Sequence, residues 1–373
     1  MALEVLHGKK VWVMVGTRPE VIKQLPIYWA LVRKLGRDQV ALVGTGQHKE
    51  LLAQALAHFK VTADVNLDIM KPNQTLIEVS ANILLKIGKL LTRHCPEWVI
   101  VQGDTTTAVI ATLAAFYQKV KIAHNEAGLR TYDLANPFPE EANRRMISAI
   151  ADLHFAPTEL AAQALLRENV VKEKIWVTGN TGIDALFWTL ENCQPTEKLH
   201  SLQERIGDLD WVFLTAHRRE SQGEKILRWF EAMADFIRVH PDLALVYPVH
   251  PNQIANEAIH KFLVQSPRIF TISPLDYGST CHLLNRSRFV ITDSGGIQEE
   301  AVTLGLPVVI CRETTERMEA IHTGLARLAG FDGNRINECM QWAYDRSQSL
   351  LKQRNTLFGD GRSAERIVER IRL

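Results

Sequence analysis

The sequence alternates short apolar, mostly β-branched runs with longer amphipathic stretches, and this alternation restricts the chain to an α/β fold. In the first half the apolar runs fall at 11–15, 39–43, 98–101, 120–123, 153–156 and 175–178. The stretches between them have helical spacing, and residues 74–94 begin with Thr75 and Glu78 in the spacing of a capping box. Strands that alternate with helices predict βαβ units and a parallel sheet.

A polar interruption followed by a second series of strands indicates two domains. Residues 191–201 are polar, contain Pro195 and show no apolar periodicity, so we predict a surface loop just past a domain junction. Apolar runs resume at 211–215, 243–249, 269–272, 289–292 and 308–311. The length of 373 residues also fits two domains of about 150 residues each. We therefore predict two Rossmann-like domains, with a ligand at the carboxyl ends of their strands.

Composition and charge exclude several classes of protein. The 43 Lys and Arg residues balance 42 Asp and Glu residues, whereas a sequence-independent nucleic-acid binder has a basic surplus. We find neither the apolar run of a signal peptide nor the roughly 18 apolar residues of a membrane span. Five scattered cysteines without a Cys-x-x-Cys pair favour neither a zinc site nor a disulfide framework. We expect a cytoplasmic protein with reduced thiols that binds neither nucleic acid nor membrane.

Basic residues follow the first predicted strand. The segment GTRPE (16–20) allows a sharp turn at its glycine and a helix start at Thr17, and Lys23 comes shortly after. A helix N-terminus beside Arg18 and Lys23 is suited to an anion. The alternative is an ordinary turn between strand and helix with two solvated basic side chains.

Carboxylates follow the later strands of the first half. Asp104 comes after the strand at 98–101, Glu126 after the strand at 120–123, and Glu140 after a loop stiffened by prolines. Side chains at the carboxyl ends of one sheet can converge, and converging carboxylates are suited to acid–base chemistry near neutral pH. Two of these acids also have a simpler interpretation, Asp104 as a helix cap and Glu140 as a first-turn acid that favours the helix dipole.

The second half carries polar strand ends of its own. His217, flanked by arginines, follows the strand at 211–215 and is a better ligand candidate than an average histidine. The turn Ser-Gly-Gly (294–296) lies at a helix start, where free N–H groups and the helix dipole can receive phosphate. Glu300, further along that helix, can bind ribose hydroxyls. The alternative is a glycine-rich tight turn. These residues indicate a nucleotide-sugar ligand and leave open whether the group is transferred, hydrolysed or isomerised.

In order and along nearly the whole chain, these motifs resemble the non-hydrolysing UDP-N-acetylglucosamine 2-epimerases. The matching segments are GTRPE (16–20), TGQH (45–48), GDTTT (103–107), EAGLRTYDLANPFPEEANRR (126–145), APTE (156–159), VTGNTGIDAL (177–186), AHRRES (216–221), YPVHPN (247–252), DSGGIQEEA (293–301), TTER (314–317) and FGDGRSAERI (358–367). The resemblance implies two Rossmann-like domains of the glycosyltransferase-B type facing across a cleft. Residues 1–180 with 359–373 would form the domain of the catalytic carboxylates, and 181–358 the UDP-binding domain. A C-terminal helix, roughly 359–373, would cross back to the first domain.

The resemblance also implies an activity, namely reversible inversion at C2 of UDP-GlcNAc to UDP-ManNAc for surface polysaccharide synthesis. It implies a homodimer that uses neither metal nor nicotinamide. Direct removal of the C2 proton is unfavourable because it is not α to a carbonyl. In this family UDP instead leaves from C1 as the C2 proton is lost, and UDP then adds back to the resulting 2-acetamidoglucal.

Transferred by motif position, the family's roles fall on eleven residues. The acid–base and charge-stabilising groups would be Asp104, Glu126, Glu140 and His217. The UDP-binding groups would be Arg18, Lys23, Ser294, Gly295, Gly296, Glu300 and Arg317.

Other positions bear on regulation and on departures from the family. Many bacterial members hold a second, regulatory UDP-GlcNAc, and Gln47, Arg218 and His250 match that pocket. Glu50 and Asn73, however, stand where regulated members often have Gln and Arg, so we hypothesise weakened or absent activation. Asn125 replaces a usual Val or Ile, and such a polar neighbour could change the surroundings of Glu126.

Several rival functions stay open at this point. One is the same mechanism on a modified UDP-sugar, although the intact GTRPE and HRRES segments favour the standard substrate. A second is the hydrolysing type of epimerase, which releases UDP and free ManNAc. A third is a glycosyltransferase of the same fold, which would need an acceptor and would not exchange the C2 hydrogen.

Overall fold

The structure, a computed structural model, describes residues 4–46, 49–70, 73–216, 224–249, 266–349 and 353–373, without the side chains of 49–51 and 224–226. Residue contacts divide the chain into unit 1, Met1–Phe187 with Leu357–Leu373, and unit 2, Trp188–Thr356. Among the described residues no helix is both long and apolar enough to cross a membrane.

Unit 1 is built on a parallel sheet. Its strands are β1 (Val11–Val15), β2 (Val40–Gly44), β3 (Val65–Asn66), β4 (Trp98–Gln102), β5 (Lys121–Asn125), β6 (Leu153–Ala156) and β7 (Ile175–Val177). Its helices are α1 (Arg18–Leu35), α2 (Lys49–His58), α3 (Leu76–His94), α4 (Thr106–Tyr117), α5 (Glu140–Ile150), α6 (Glu159–Arg167), a 3₁₀ turn (Lys172–Lys174), the start of α7 (Thr181–Asn192), and a C-terminal helix (Ser363–Arg370) that is α14 in chain order.

The strand order of unit 1 fixes where a ligand can bind. The described strands lie in the order β3-β2-β1-β4-β5-β6-β7, all parallel. The order reverses between β1 and β4, and ligands of open α/β sheets bind at such a switch point, outside the carboxyl ends of the strands. The turns that carry Arg18, Asp104 and Glu126 follow β1, β4 and β5, so they lie at or next to this point.

Unit 2 contains a second parallel sheet. Its strands are β8 (Asp210–Thr215), β9 (Leu243–Pro248), β10 (Ile269–Ile272), β11 (Phe289–Thr292), β12 (Val308–Ile310) and β13 (Ala326–Leu328), in the order β10-β9-β8-β11-β12-β13. Its described helices, after the end of α7, are α8 (Glu197–Ile206), α9 (Glu224–Val239), α10 (Tyr277–Arg286), α11 (Gly295–Thr303), α12 (Met318–His322) and α13 (Gly333–Ser349). Here the switch point falls between β8 and β11, and the Ser-Gly-Gly turn directly follows β11.

The strand predictions are confirmed to within one or two residues, and their cause is visible in the burial. Trp12 and Val13 on β1 and Val99 and Ile100 on β4 are fully buried although they point to opposite faces. Parallel strands covered by helices on both faces are continuous apolar runs, which is how the sequence marks them. The predicted capping box at Thr75 is also present, with the Thr75 N–H donating to Glu78 Oε2 at 2.7 Å.

The predicted loop at 191–201 is wrong. Helix α7 extends to Asn192, and α8 begins at Glu197 after the N-cap residue Thr196. Leu199, Leu202 and Ile206 form the buried stripe of α8 at spacings of three and four residues. The stripe is narrow and the rest of the helix is polar, which concealed its periodicity.

The C-terminal helix α14 packs against α1 in unit 1, as the resemblance implied. Asp184 on α7 accepts the first-turn N–H groups of Ser363 at 3.2 Å and Ala364 at 2.8 Å. Lys34 on α1 donates to the carbonyl of Val368 at 2.7 Å. The helix is therefore fixed at its start and near its end by elements distant in sequence.

Candidate active site

The turn after β4 presents Asp104 beside a buried arginine. Arg144, on the second turn of α5, donates from Nη1 to Asp104 Oδ2 at 2.5 Å, and its side chain is 3% exposed. Asn143 donates to the Asp104 carbonyl at 2.7 Å. Asp104 itself is 30% exposed at the side chain, so one face of a charged, oriented carboxylate remains accessible.

Glu141 holds that arginine in place. Its fully buried carboxylate accepts from Arg144 Nε at 3.1 Å and from the backbone N–H groups of Thr131 at 3.0 Å and Tyr132 at 3.2 Å. Arg145 Nε approaches the same carboxylate at 3.4 Å. One buried acid thus joins α5 to the loop after β5 and orients the guanidinium that contacts Asp104.

The turn after β5 presents Glu126 in a polar pocket. Lys23 Nζ and Gln102 Nε2 both donate to its carboxylate, and Asn180 Nδ2 donates to Oε1 at 3.0 Å. Glu126 has a φ of +61°, in the left-handed region that is uncommon for a residue other than glycine. The surrounding donors stabilise the ionised form of a carboxylate. Lys23, expected beside a diphosphate, therefore contacts a carboxylate in this structure.

Asn125 does not change the surroundings of Glu126 through a direct hydrogen bond. Its side chain is buried and donates from Nδ2 to Thr181 Oγ1 at 3.0 Å. Thr181 follows Asn180, which contacts Glu126. Asn125 is therefore linked to Glu126 through the neighbouring Thr181 and Asn180 rather than by a hydrogen bond of its own.

Glu140 differs from the other two acids. It is the first residue of α5, after the cis peptides Asn136–Pro137 and Phe138–Pro139. Its Oε2 atom is buried and accepts no hydrogen bond, and Glu140 forms no ion pair with any described residue. Its Oε2 atom therefore keeps unused hydrogen-bonding capacity.

Glu20 joins the turns after β1 and β4. One of its oxygens accepts from the N–H groups of Gly16 at 3.0 Å and Thr17 at 2.7 Å, and the other accepts the hydroxyl of Thr105 at 2.7 Å. Burial raises its pKa to about 7, against the opposing effect of these hydrogen bonds. Gly16 has to be glycine because a Cβ there would overlap the hydroxyls of Thr107 and Thr45. Arg18, in the same turn, makes no ion pair within the described part of the chain.

Two buried histidines lie beneath these turns. His124 Nε2 is 2.7 Å from the carbonyl of Gly103, and its ring centroid is 6.4 Å from that of His154. Burial lowers the pKa of His124 to about 3 and that of His154 to about 4. Both rings are neutral near pH 7, so His124 donates to Gly103 and helps to fix the turn that precedes Asp104.

In unit 2 the Ser-Gly-Gly turn lies at the switch point between β8 and β11. Ser294 is the N-cap of α11, and the Thr215 and Thr292 hydroxyls, 2.5 Å apart, join the two strand ends. A side chain is excluded at one of the two glycines but not at the other. A Cβ on Gly295 would approach the Arg317 guanidinium carbon to 2.6 Å, whereas a Cβ on Gly296 would meet no atom within 4 Å. Close approach by a ligand is therefore possible at Gly296.

Arg317 and Glu300 are both held by neighbours. Arg317 donates from Nε to Glu299 Oε1 at 2.8 Å and from Nη1 to Glu316, which fixes its guanidinium against the first turn of α11. Glu300 accepts the Tyr277 hydroxyl on Oε1 at 3.0 Å, and burial raises the pKa of Tyr277 well above its usual value.

The structure brings Asp104, Glu126, Glu140 and Lys23 to one edge of unit 1, and Ser294, Gly295, Gly296, Glu300 and Arg317 to one edge of unit 2. His217, Gln47, Arg218 and His250 lie outside the described residues, as does the side chain of Glu50. Asn73 is exposed with a φ of +59°.

Sequence reasoning missed the residues that hold the site. Gln102 and Asn180 bind Glu126, Glu20 and Glu141 join turns, and Glu299 binds Arg317. Gln102 ends a buried strand, where a polar residue is unusual, and that was the available signal. Nothing in the spacing marked the other four.

Known proteins match this chain over nearly its whole length. The sequence model of the UDP-N-acetylglucosamine 2-epimerase family matches residues 33–372. The chain is 42% identical over 364 residues to the UDP-N-acetylglucosamine 2-epimerase of Bacillus subtilis (strain 168), covering 97% of this chain and 94% of that protein. It is 41% identical over 370 residues to the enzyme of that name from Escherichia coli (strain K12), covering 97% and 98%.

Solved structures that resemble this chain come from the same family. The crystal structure of UDP-GlcNAc 2-epimerase from Neisseria meningitidis bound to UDP-GlcNAc has a TM-score of 0.90 at 39% identity, covering 96% of this chain and 98% of that one. The Methanocaldococcus jannaschii UDP-GlcNAc 2-epimerase in complex with UDP-GlcNAc and UDP has a TM-score of 0.83 at 31% identity, with the same coverage. Two parallel sheets with alternating helices match the glycosyltransferase-B-like fold of these structures. The chain belongs to the UDP-N-acetylglucosamine 2-epimerase family.

Proposed function

We propose that this chain interconverts UDP-GlcNAc and UDP-ManNAc by inverting C2 of the sugar. The observation that carries the proposal is the arrangement of acids at the carboxyl edge of the unit 1 sheet. Asp104 contacts Arg144, Glu126 contacts Lys23, and Glu140 keeps an unbonded carboxylate oxygen. The names of the relatives and the titles of the solved structures support the same substrate.

The arrangement suits elimination followed by addition. The C1–O bond breaks with its electron pair leaving on UDP, the C2–H bond breaks, and its electron pair forms the C1–C2 double bond of 2-acetamidoglucal. Positive charge develops on the ring as UDP leaves. Asp104 and Glu126, each beside a cation that favours the ionised form, supply the opposing negative charge.

Proton transfer needs groups on both faces of the sugar. Glu140 has a buried acceptor atom to which no described group donates, so it is our candidate to exchange the C2 proton on one face. The group on the other face belongs to the remaining candidates, Asp104, Glu126 and His217. UDP then adds back to C1 of the protonated intermediate, and the reaction is reversible.

Unit 2 is our proposed binding site for UDP. The first-turn amides of α11 have no acceptor within the helix, and Gly296 leaves room for a phosphate oxygen to approach them. Glu300, oriented by Tyr277, is placed to accept a ribose hydroxyl. Arg18, without an ion-pair partner among the described residues, is a candidate diphosphate ligand from unit 1.

The test is the product formed from UDP-GlcNAc alone, followed by proton NMR. We expect UDP-ManNAc to appear and to reach the same final ratio from either side, without accumulation of UDP or free sugar. Free ManNAc with stoichiometric UDP would indicate the hydrolysing reaction instead. No turnover of UDP-GlcNAc, with turnover of a modified UDP-sugar or only with an added acceptor, would favour one of the other rivals.

We infer in addition a cytoplasmic homodimer. Ile77 and Leu85 on α3 and Phe116 and Tyr117 on α4 are 80%, 63%, 54% and 64% exposed, and large apolar side chains in such numbers on neighbouring helices are typical of an interface. All five cysteines are free, which is typical of a reducing compartment. Sedimentation equilibrium tests the dimer, and a monomer at micromolar concentration would contradict it.

A further inference from the structure

Arg144 has an unused donor group in a buried position. The guanidinium donates from Nε to Glu141 at 3.1 Å and from Nη1 to Asp104 at 2.5 Å, but its Nη2 atom is buried and has no hydrogen-bond partner. The whole residue is 2% exposed. A buried polar group without a partner is costly, more so when it is charged, and native structures rarely keep one without a functional reason.

The free donor does not result from a lack of nearby acceptors. Glu140 precedes Arg144 by four residues on α5, the spacing at which a glutamate and an arginine normally pair on a helix face. Glu140 Oε2 is itself buried without a partner, and yet these two residues form no ion pair. Arg144 is instead held by Asp104 and Glu141, which bind Nη1 and Nε and so fix the position of Nη2.

The local charge selects the kind of group that Nη2 can bind. Two carboxylates contact this one guanidinium, those of Asp104 and Glu141. A phosphate that approached Nη2 would be repelled by both, whereas a neutral oxygen would not. The site therefore fits a carbonyl or hydroxyl oxygen better than it fits an anion.

We propose that Arg144 Nη2 donates a hydrogen bond to a neutral oxygen on the sugar of the bound nucleotide sugar. This oxygen is either the carbonyl of the 2-acetamido group or a hydroxyl. The proposal rests on the proposed epimerase function. It makes Arg144 a substrate ligand that also orients Asp104, so that recognition of the sugar and placement of a candidate catalytic acid depend on one side chain.

The test separates binding of the sugar from binding of UDP. Arg144→Lys keeps a cation near Asp104 but cannot supply three donors in the same plane. We expect the Kd of UDP-GlcNAc to rise about 10- to 100-fold, the range for loss of a hydrogen bond to a charged group, while the Kd of UDP stays within about twofold. The matched control is Arg145→Lys. Arg145 also contacts Glu141 but not Asp104, and its substitution is expected to leave both Kd values unchanged.

Binding of UDP-glucose, which has no acetamido group, shows which sugar oxygen Nη2 binds. If Nη2 binds the acetamido carbonyl, wild-type protein prefers UDP-GlcNAc to UDP-glucose and Arg144→Lys removes that preference. If it binds a hydroxyl, both ligands weaken equally. Equal weakening of UDP, or no weakening of UDP-GlcNAc, would overturn the proposal.

A crystal structure of the wild-type protein with UDP-GlcNAc tests the same contact without any substitution, so the result does not depend on whether a variant folds. We expect Nη2 within hydrogen-bond distance of a sugar oxygen, and a water molecule or a phosphate there would overturn the inference. Failure of the proposed function is distinct, because then the wild-type protein itself would not convert UDP-GlcNAc.

Discussion

Asp104 and Glu126 lie at the ends of adjacent strands, and each contacts a cation that is largely buried, Arg144 for one and Lys23 for the other. Glu140 has no such partner among the described residues. A carboxylate that is hydrogen-bonded to a cation is suited to stabilising positive charge, whereas one with an unbonded acceptor atom is suited to moving a proton. The three acids thus differ in their partners, and we propose that they differ in role accordingly.

Glu140→Gln should lower kcat at least about 100-fold, because a general acid–base group typically contributes that much. Glu159→Gln is the matched control. Glu159 is also the first residue of its helix, α6, and is exposed, so it shares the helix-dipole position without the chemistry. Steady-state rates of UDP-ManNAc formation measure both. Equal small losses in the two variants would mean that Glu140 only stabilises its helix.

The two basic residues of the first turn of unit 1 should behave differently. Arg18 makes no ion pair with a described residue, whereas Lys23 contacts Glu126. We expect Arg18→Gln to raise the Kd of UDP about tenfold, the typical effect of losing one charged hydrogen bond. Lys23→Met should leave the Kd of UDP within about twofold and lower kcat about tenfold or more, because Glu126 loses its cation. Calorimetric titration with UDP decides, and weaker UDP binding in Lys23→Met would restore the diphosphate role that the resemblance implied.

The sequence predicted the positions of these residues but not their partners. Asp104 and Glu126 could be placed because a polar residue after an apolar strand must lie at the sheet edge. That Arg144 would turn to Asp104 rather than to Glu140 depends on Glu141 and on the loop after β5, which only the folded chain brings together. The same holds for Asn180, which is 54 residues from the carboxylate it binds.

At the scale of elements, buried acids join the turns that carry the site. Glu20 connects the turn after β1 with the turn after β4, and Asp184 connects α7 with the start of α14. Burial raises the pKa of Glu20 to about 7 and that of Asp184 to about 6. These acids fix the positions of the turns, and because they are buried, their carboxyl groups are harder to ionise than exposed ones.

The raised pKa of Glu20 predicts a pH dependence of stability. Its pKa is about 7 in the folded chain against an ordinary value of 4.5, so between these values the folded state binds more protons than the unfolded state. The contribution of Glu20 to the free energy of unfolding is fully present below pH 4.5 and is lost as pH rises through about 7. From pH 5 to pH 8 the free energy of unfolding should fall by about 2 to 3 kcal/mol more in the wild-type protein than in Glu20→Gln.

Urea unfolding at the two pH values measures this difference. The comparison with the variant is needed because His124 and His154, with lowered pKa values, act in the opposite direction and lose stability as pH falls below about 6.5. Their contribution is common to both proteins and cancels. An equal pH dependence in the two proteins would show that Glu20 is ionised throughout.

The elements that the sequence left unpredicted are the short and the polar ones. Strands β3 and β13 have two and three residues, and β13 carries an exposed Arg327, so neither forms an apolar run. Helix α8 was mistaken for a loop because only Leu199, Leu202 and Ile206 are apolar and buried. Long strands in the middle of a sheet are marked by burial on both faces, and these edge and surface elements are not.

At the scale of the whole molecule, each unit places its polar residues at the switch point of its own sheet. In unit 1 this point lies between β1 and β4 and holds acids with their cations. In unit 2 it lies between β8 and β11 and holds a helix start with Arg317. Asp104, Glu126 and Glu299 each contact an arginine or a lysine, so these acids do not form an unbalanced cluster of negative charge.

The kinetics of the intact protein should be those of an enzyme without strong activation by its substrate. By the resemblance, Glu50 and Asn73 stand where regulated members often have Gln and Arg, and an acid in place of an amide would disfavour a diphosphate. We expect rate against UDP-GlcNAc concentration to be hyperbolic, and UDP-ManNAc to be converted without added UDP-GlcNAc. Strong sigmoidality, or inert UDP-ManNAc, would refute this.

The central claim is that inversion proceeds through loss of the C2 proton at the acids of unit 1. The most direct test of this claim is exchange of the C2 hydrogen in D₂O. UDP-GlcNAc incubated with the protein in D₂O and followed by NMR should lose its C2 proton signal as UDP-ManNAc appears, with deuterium at C2 of the product. Glu140→Gln should slow this exchange together with turnover. UDP-ManNAc that forms with its C2 hydrogen retained would contradict the account.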